Sequence, residues 1–408
     1  MVARAEGSEL QFKNLVGWIK IRLQGDITVK SLTLYSHNTS DVVSGTGYVT
    51  IDDQGNPVFD PGPSDTYNYS SIDFDGASKD PARLSPDSPT DFYFPVLPGT
   101  LADGFYVDGS SSIGEIYFET TNSVTVERNK VTPMAVKIIT GPKAVLLEGP
   151  SLNAQLKSLS GSDNPNTNTA NSNIKAVVFD TYSSVSSGTE VQASDSEAKI
   201  YANLDETTGT MTLSTPSGQI WANANSSYMF CALQGLETID INDINVSEVT
   251  DASSMFRLCS KLTSIGDISL PLATTTDDMF FNCPKLEGVG DVSIPEVTSA
   301  VEMFDLCSKL SRLGSITTTK LQNAQTMFGT CNSLSGVLDL SGMQGNLTNV
   351  QSMFYNCNQL TGITFSSGFN TAAVTSTQAM FRWCSSLTSL DLSGFDFGND
   401  CNRYIFYS

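Results

Sequence analysis

Eight cysteines and a single histidine bound the chemistry open to these 408 residues. The cysteines are Cys231, Cys259, Cys283, Cys307, Cys331, Cys357, Cys384 and Cys401. No two of them form Cys-x-x-Cys, so the close pairs that a zinc site needs are absent. From Cys259 to Cys384, six recur at one position of a repeated unit. Stacked in register, they would lie about 4.8 Å apart. That is within disulfide reach, but parallel side chains in a ladder rarely meet the required dihedral. The expectation is therefore buried free thiols that fill space as small apolar groups. His37 lies in the polar run Tyr35-Ser-His-Asn-Thr-Ser-Asp41 and is expected to be a solvated loop residue. One histidine supplies neither a histidine metal site nor a family of His-based triads. No nucleotide loop or nucleophile elbow is present. Two carboxylates can converge from distant segments, which leaves acid–base hydrolysis formally open. No remaining segment is large enough for a catalytic domain, so no enzyme activity, cofactor or metal centre is expected.

The unit that carries the cysteines is Met-Phe-x-x-Cys-x-x-Leu. It starts at Met255, Met279, Met303, Met327, Met353 and Met380, and a degenerate copy at Met229 has Leu233 at the cysteine position. The Met-to-Met steps are 26, 24, 24, 24, 26 and 27 residues, within the range of leucine-rich repeats. Met to Cys spans four residues, which predicts one helical turn, and the Leu that follows opens a strand. Stacked coils would bury Met, Phe, Cys and Leu as a continuous column, since no coil can cover its own apolar face. Gly266, Gly290, Gly314 and Leu338 are extra residues in the middle strands. The three glycines suggest a bulge, and hence a kinked or widened concave sheet.

The Met-Phe-x-x-Cys-x-x-Leu unit followed by Thr388-Ser-Leu-Asp-Leu-Ser-Gly394 resembles the BspA-type leucine-rich repeats of bacterial surface proteins, over about residues 225–400. The resemblance implies a secreted or surface-anchored protein that adheres to host or matrix proteins. Nearer the start, Gly17-Trp-Ile-Lys-Ile-Arg-Leu-Gln-Gly25, Phe92-Tyr-Phe-Pro-Val-Leu-Pro-Gly99 and Val124-Thr-Val-Glu-Arg-Asn-Lys130 resemble the fimbrillin-like β-sandwiches on Bacteroides-type surface lipoproteins. That second resemblance implies a domain that presents or anchors.

The ordered surface legible in the sequence is the strand face of the repeats. Just past the second apolar strand position stand Asp240, Asp267, Asp291, Ser315, Asp339, Thr364 and Asp391. The aspartates Asp240, Asp267, Asp291, Asp339 and Asp391 are the candidate partner-binding strip, for a basic or hydroxyl-rich partner or for calcium. The plainer alternative is that they solvate the sheet or close turns. Neighbouring positions such as Thr263, Ser264, Glu287, Arg312, Thr361, Thr388 and Ser389 are mostly small and polar.

The resulting expectation is a mainly β chain with short helices. Residues 1–149 would form a fimbrillin-like β-sandwich, 150–173 a polar linker, 174–228 a β capping segment, and 229–408 an α/β leucine-rich-repeat solenoid of about seven coils. Alternation in Trp18-Ile-Lys-Ile-Arg-Leu23 and Val29-Lys-Ser-Leu-Thr-Leu-Tyr35 supports the sandwich. The formal charge of -21 argues against nucleic acid and against anionic membrane surfaces. No apolar run is long enough for membrane insertion. Met1-Val-Ala-Arg-Ala-Glu-Gly-Ser8 has no apolar core of a leader. Either the chain is cytoplasmic, or a leader, and with it a lipid anchor, has been removed. The second is favoured and places the protein at the cell surface, associated with the outer membrane. Its partner would be a host or matrix protein or a glycan on the repeat face. The alternative is a structural spacer in a fimbria-like assembly.

Overall fold

The computed structural model describes residues 2–6, 9–13, 15–25, 27–51, 57–73, 82–85, 88–111, 114–139, 142–181, 187–392, 395, 405 and 406. The chain divides into two compact units, one of residues 1–142 with 216–218, the other of residues 143–215 with 219–408.

In the first unit, strand Gly17–Gln24 alternates buried and half-buried positions along its whole length, with Ile19, Ile21 and Leu23 inward. It pairs antiparallel with Thr90–Val96 and parallel with Val131–Ile138. A second sheet runs in the order Gly114–Thr120, Phe105–Ser111, Thr28–Ser36, Tyr69–Asp73, with Ala82–Arg83 against the start of Thr28–Ser36. Both sheets feed one apolar cluster, for example Ile21 and Phe94 from the first and Leu34 and Val107 from the second. Alternation breaks once, between Val29 and Leu32, both buried. There the register jumps from Ser31 to Val29 while the partner strand advances one residue. Lys30 is thus the extra residue of a bulge, which explains the irregular spacing. The polar run from Asp60 onward contains two strands, Pro57–Tyr67 and Tyr69–Asp73, that composition concealed. The turn expected at Asp53–Asn56 lies outside the described residues.

The second unit begins with a correction. Residues 150–173, expected as a linker, open with the helix Gly149–Leu159. Pro150 starts it, and Leu152 and Leu156, one turn apart, are wholly buried. The rest of the segment is a polar loop held by side chain to backbone bonds. Asn173 Nδ2 donates to the Ser160 carbonyl (2.7 Å), and the buried Lys157 ammonium donates to the Asn166 and Thr167 carbonyls (3.0 and 3.1 Å). Burial pushes the Lys157 pKa down to about 8. Such a loop is ordered by hydrogen bonds rather than by apolar burial, and hydropathy cannot register that. A five-stranded sheet follows, in the order Thr189–Glu190, Tyr201–Asp205, Thr210–Ser214, Ala176–Asp180, Thr238–Ile239. Its last strand belongs to the coil headed by Met229, so the sheet runs directly into the repeats.

The repeats stack. Phe230, Phe256, Phe280, Phe304, Phe328, Phe354 and Phe381 form a buried column with ring centroids 5.4–5.6 Å apart. Phe406 continues it beyond Phe381 at 5.3 Å. Each buried ring contributes roughly 1.5–3 kcal/mol.

The predicted helical turn between Met and Cys is not there. Its place is taken by a ribbon of tight turns: Met255 N–H donates to Ala252, Arg257 to Ser254, and Cys259 to Phe256, each across three residues. The alternate amides, of Ala252, Ser254, Phe256 and Leu258, donate forward to Thr275, Asp277, Met279 and Phe281 of the next coil. The residue before each Met and the residue before each Cys position have positive φ, as at Ser254 (56°) and Leu258 (63°). A helix would satisfy every amide within the coil; the ribbon spends every second one on its neighbour, and positive φ at the third residue is how a type II turn achieves this.

Candidate partner-binding face of the coils

The Leu-to-strand segment forms the exposed side of each coil. In the coils headed by Met255, Met279 and Met303 it is cut into two short strands. Ser264–Ile265, Gly288–Val289 and Arg312–Leu313 make one parallel sheet; Ile268–Ser269, Val292–Ser293 and Ile316–Thr317 make a second. The extra residue therefore breaks the strand at Gly266, Gly290 and Gly314, where the sequence places it. At Leu338 the strand Gly336–Leu340 stays continuous, with only a register shift after Gly336.

At Gly290 and Gly314 glycine is needed for space, not for a left-handed backbone. A Cβ on Gly290 would stand 2.3 Å from Asp267 Oδ1 and 2.7 Å from the Asp267 amide nitrogen. A Cβ on Gly314 would meet Asp291 Oδ1 at 2.5 Å. The carboxylate of one coil folds over the glycine of the next. There Asp267 Oδ1 accepts the Asp291 amide (2.9 Å), and Asp291 Oδ1 accepts the Ser315 amide (2.8 Å) and hydroxyl (3.0 Å).

The five expected strip residues are all exposed, and the hydrogen bonds of their carboxylates differ from coil to coil. Asp267 and Asp291 form a two-step ladder that Ser315 ends. Asp240 accepts the Asn242 amide (2.9 Å) at the start of the short 3-10 turn Ile241–Asp243. Asp339 accepts the Ser341 amide (2.9 Å), and that bond holds its carboxyl below the usual range. Asp391 is exposed, following the Leu387 of the last coil. The carboxylates of Asp240, Asp267, Asp291 and Asp339 are thus engaged in shaping backbone. Among the described residues, no cluster of three or more His, Cys, Asp or Glu side chains is placed to hold a metal ion.

Around them Thr263, Ser264, Glu287, Arg312, Thr361, Thr388 and Ser389 are exposed, as their positions predict. Hydroxyls run along this side as ladders: Ser311 Oγ donates to the Glu287 carbonyl and Thr388 Oγ1 to that of Thr361. On the turn side, Trp383 is 44% exposed, 4.9 Å from the Tyr355 ring, with the Arg382 guanidinium 4.5 Å from its own ring. Sequence reasoning missed a further feature there. Asp278, Glu302 and Asp305 gather on the ribbons of adjacent coils, with Arg257 2.8 Å from Asp278. Burial, aided by the neighbouring acid, raises Glu302, and it raises Asp305 to about 7. The spacing of 24 to 27 residues that brings these acids together is that of the repeat itself.

The cysteines are free among the described residues, Cys401 not being one of them. They are more than filler. Each repeat thiol donates to the Phe carbonyl of the coil before, from Cys259 to Phe230 (3.1 Å) through Cys384 to Phe354 (3.0 Å). Burial pushes Cys231 and Cys384 up to about 11 and the four from Cys283 to Cys357 far above the ordinary thiol value. His37, expected in solvent, is half-buried, with Nε2 3.6 Å from Glu119 and its ring 5.4 Å from Tyr106.

Residues 224–341 and 343–407 match a family model described as "Mycoplasma protein of unknown function, DUF285". No curated protein and no solved structure matches the chain.

Proposed function

We infer that the chain is a non-catalytic binding protein of a bacterial cell surface. Its repeats would be a BspA-type leucine-rich-repeat solenoid that holds a macromolecular partner, a matrix protein or a glycan, and its first unit a fimbrillin-like sandwich. The observation that carries this reading is the division of labour within each coil. The Met and Phe of every repeat are committed to the buried column, while the strand side keeps mostly short hydroxyl and acidic groups on a backbone tied coil to coil. A surface whose chemistry is free to vary over an unchanging core is the arrangement by which repeat proteins select partners. The family match over the same residues supports the repeat assignment.

The test is binding of the intact chain to arrays of matrix proteins and glycans, beside an Arg312→Glu, Glu287→Lys double variant at two exposed positions of the strand side. Binding that the double variant weakens, with unchanged thermal unfolding, is expected. Binding by neither protein, or equally by both, would remove the repeat face from consideration.

A second reading has its own observation. Among the described residues, strand Val131–Ile138 is paired on one side only, by Gly17–Gln24, and exposes Val131, Val136 and Ile138 at 47, 38 and 63%. An open apolar edge invites strand addition, so an assembly role would show as concentration-dependent oligomers in size-exclusion chromatography.

A further inference from the structure

The four-strand face of the first unit carries five tyrosines from four strands and the strand end at Tyr67. Tyr106 stands directly opposite Tyr35, and Tyr35 directly opposite Tyr69. Ring centroids run Tyr117 to Tyr106 at 5.8 Å, Tyr106 to Tyr35 at 4.9 Å, Tyr35 to Tyr69 at 5.5 Å, and Tyr69 to Tyr67 at 5.2 Å. Tyr35 and Tyr106 lie within 13° of parallel and cover each other's faces, so they offer edges and hydroxyls. The outermost rings, Tyr117 and Tyr67, are 59 and 44% exposed and offer ring area.

The groups beside the row are acceptors and hydroxyls, with the His37 imidazole 5.4 Å from the Tyr106 ring and 3.6 Å from Glu119. Glu119 pairs with Tyr106 across the strands and accepts the Tyr117 hydroxyl at 2.8 Å; Asp108 pairs with Tyr117 and with Thr33. Among the described residues, no lysine or arginine is the cross-strand partner of any of these tyrosines.

We propose that this tyrosine row is a binding site for an uncharged oligosaccharide. A sugar presents C–H faces, which settle on the electron-rich faces of exposed rings, and hydroxyls, which donate to carboxylates and exchange hydrogen bonds with phenols. Glu119 and Asp108, with no lysine or arginine among the described cross-strand partners of the row, repel an acidic glycan. A protein partner would need an apolar pocket for its anchoring side chain, and the positions paired with these rings carry Glu119, Asp108 and Ser44 rather than aliphatic groups. The proposal is independent of the repeat face.

The experiment is native affinity electrophoresis of the full chain through gels containing soluble starch, xylan, mannan or galactan, with a heparin gel alongside. Retardation in at least one uncharged polysaccharide and none in heparin is expected. Tyr117→Ala with Tyr67→Ala should weaken that retardation about tenfold or more at an unchanged melting temperature, and Tyr117→Phe, which keeps the ring, should retain most of it. Free migration through all four uncharged gels would overturn the proposal, as would retardation that the double alanine variant leaves intact or that heparin alone produces.

Discussion

Asp305 is the residue on which the acidity of the solution acts most directly. Its carboxyl is half-buried on the turn ribbon, beside Glu302, and its pKa is raised to about 7. A carboxyl whose pKa rises on folding contributes stability that is fully present below its unfolded pKa, near 4, and is lost as the pH climbs through about 7. Glu302 and Asp278 are raised as well and act in the same direction. Asp305→Asn should therefore melt at a higher temperature than the parent protein at pH 8, and the difference should vanish by about pH 4; thermal scans by circular dichroism across that range measure it. A gap that stays constant with pH would mean the side chain acts through packing alone. None of this was legible in sequence, because the three acids are ordinary surface types until the coils are stacked. The cysteine column was legible in position and in its free thiols, from recurrence alone. Its hydrogen bonds to the Phe carbonyls were not, since they cross from one coil to the next.

The elements divide along the same line. Period-two strands such as Gly17–Gln24 and the Met-Phe-Cys-Leu column follow from apolar spacing, which a single sequence displays. The turn ribbon does not, because Leu258, Glu302, Thr326 and Trp383 are poor advertisements for a left-handed backbone. The forward hydrogen bonds of the stack impose that conformation, and they are invisible locally. The strand break was found at the right glycines for the wrong reason. Crowding at Gly290, absent at Gly266, sets a sharp contrast. Gly290→Ala forces a Cβ against backbone atoms of Asp267 and Gly266 and should cost about 1–3 kcal/mol. At Gly266, where the nearest atom to an added Cβ is Asn242 Nδ2 at 3.4 Å, alanine should cost no more than about 0.5 kcal/mol. Urea unfolding of the two variants decides it; equal costs would show that the carboxylate fold-over is not what excludes a side chain.

For the repeats as one body, the decisive interface is their first edge. The ribbon amides that leave a coil all donate forward, so the carbonyls of the leading coil that would accept them have no preceding coil to supply them. Asn153, buried in the helix Gly149–Leu159, supplies the missing donors: its amide reaches the Cys231 carbonyl at 2.9 Å and that of Met229 at 3.4 Å. Those carbonyls correspond in register to Arg257 and Met255, which accept from Ala232 and Phe230. Asn153→Ala should cost about 1–3 kcal/mol, the penalty for leaving buried acceptors unsatisfied. Hydrogen exchange should then quicken first in the coil headed by Met229. Phe304→Ala, at about 3–5 kcal/mol, should loosen the middle instead. Uniform quickening in both variants would argue against nearest-neighbour coupling. The sequence marked a cap before the repeats but set it at residues 174–228, and the asparagine that faces the edge sits in the stretch that looked like spacer.

That one-way polarity has a consequence for how the protein is made. The helix Gly149–Leu159 and four of the five strands of the adjoining sheet leave the ribosome before any coil does, so most of a template exists when the first repeat emerges. At roughly 5–20 residues per second, a 24-residue coil takes about 1–5 s to appear. Each arrives to find its neighbour's amides already aimed at it, and the growing chain winds on in the order of translation.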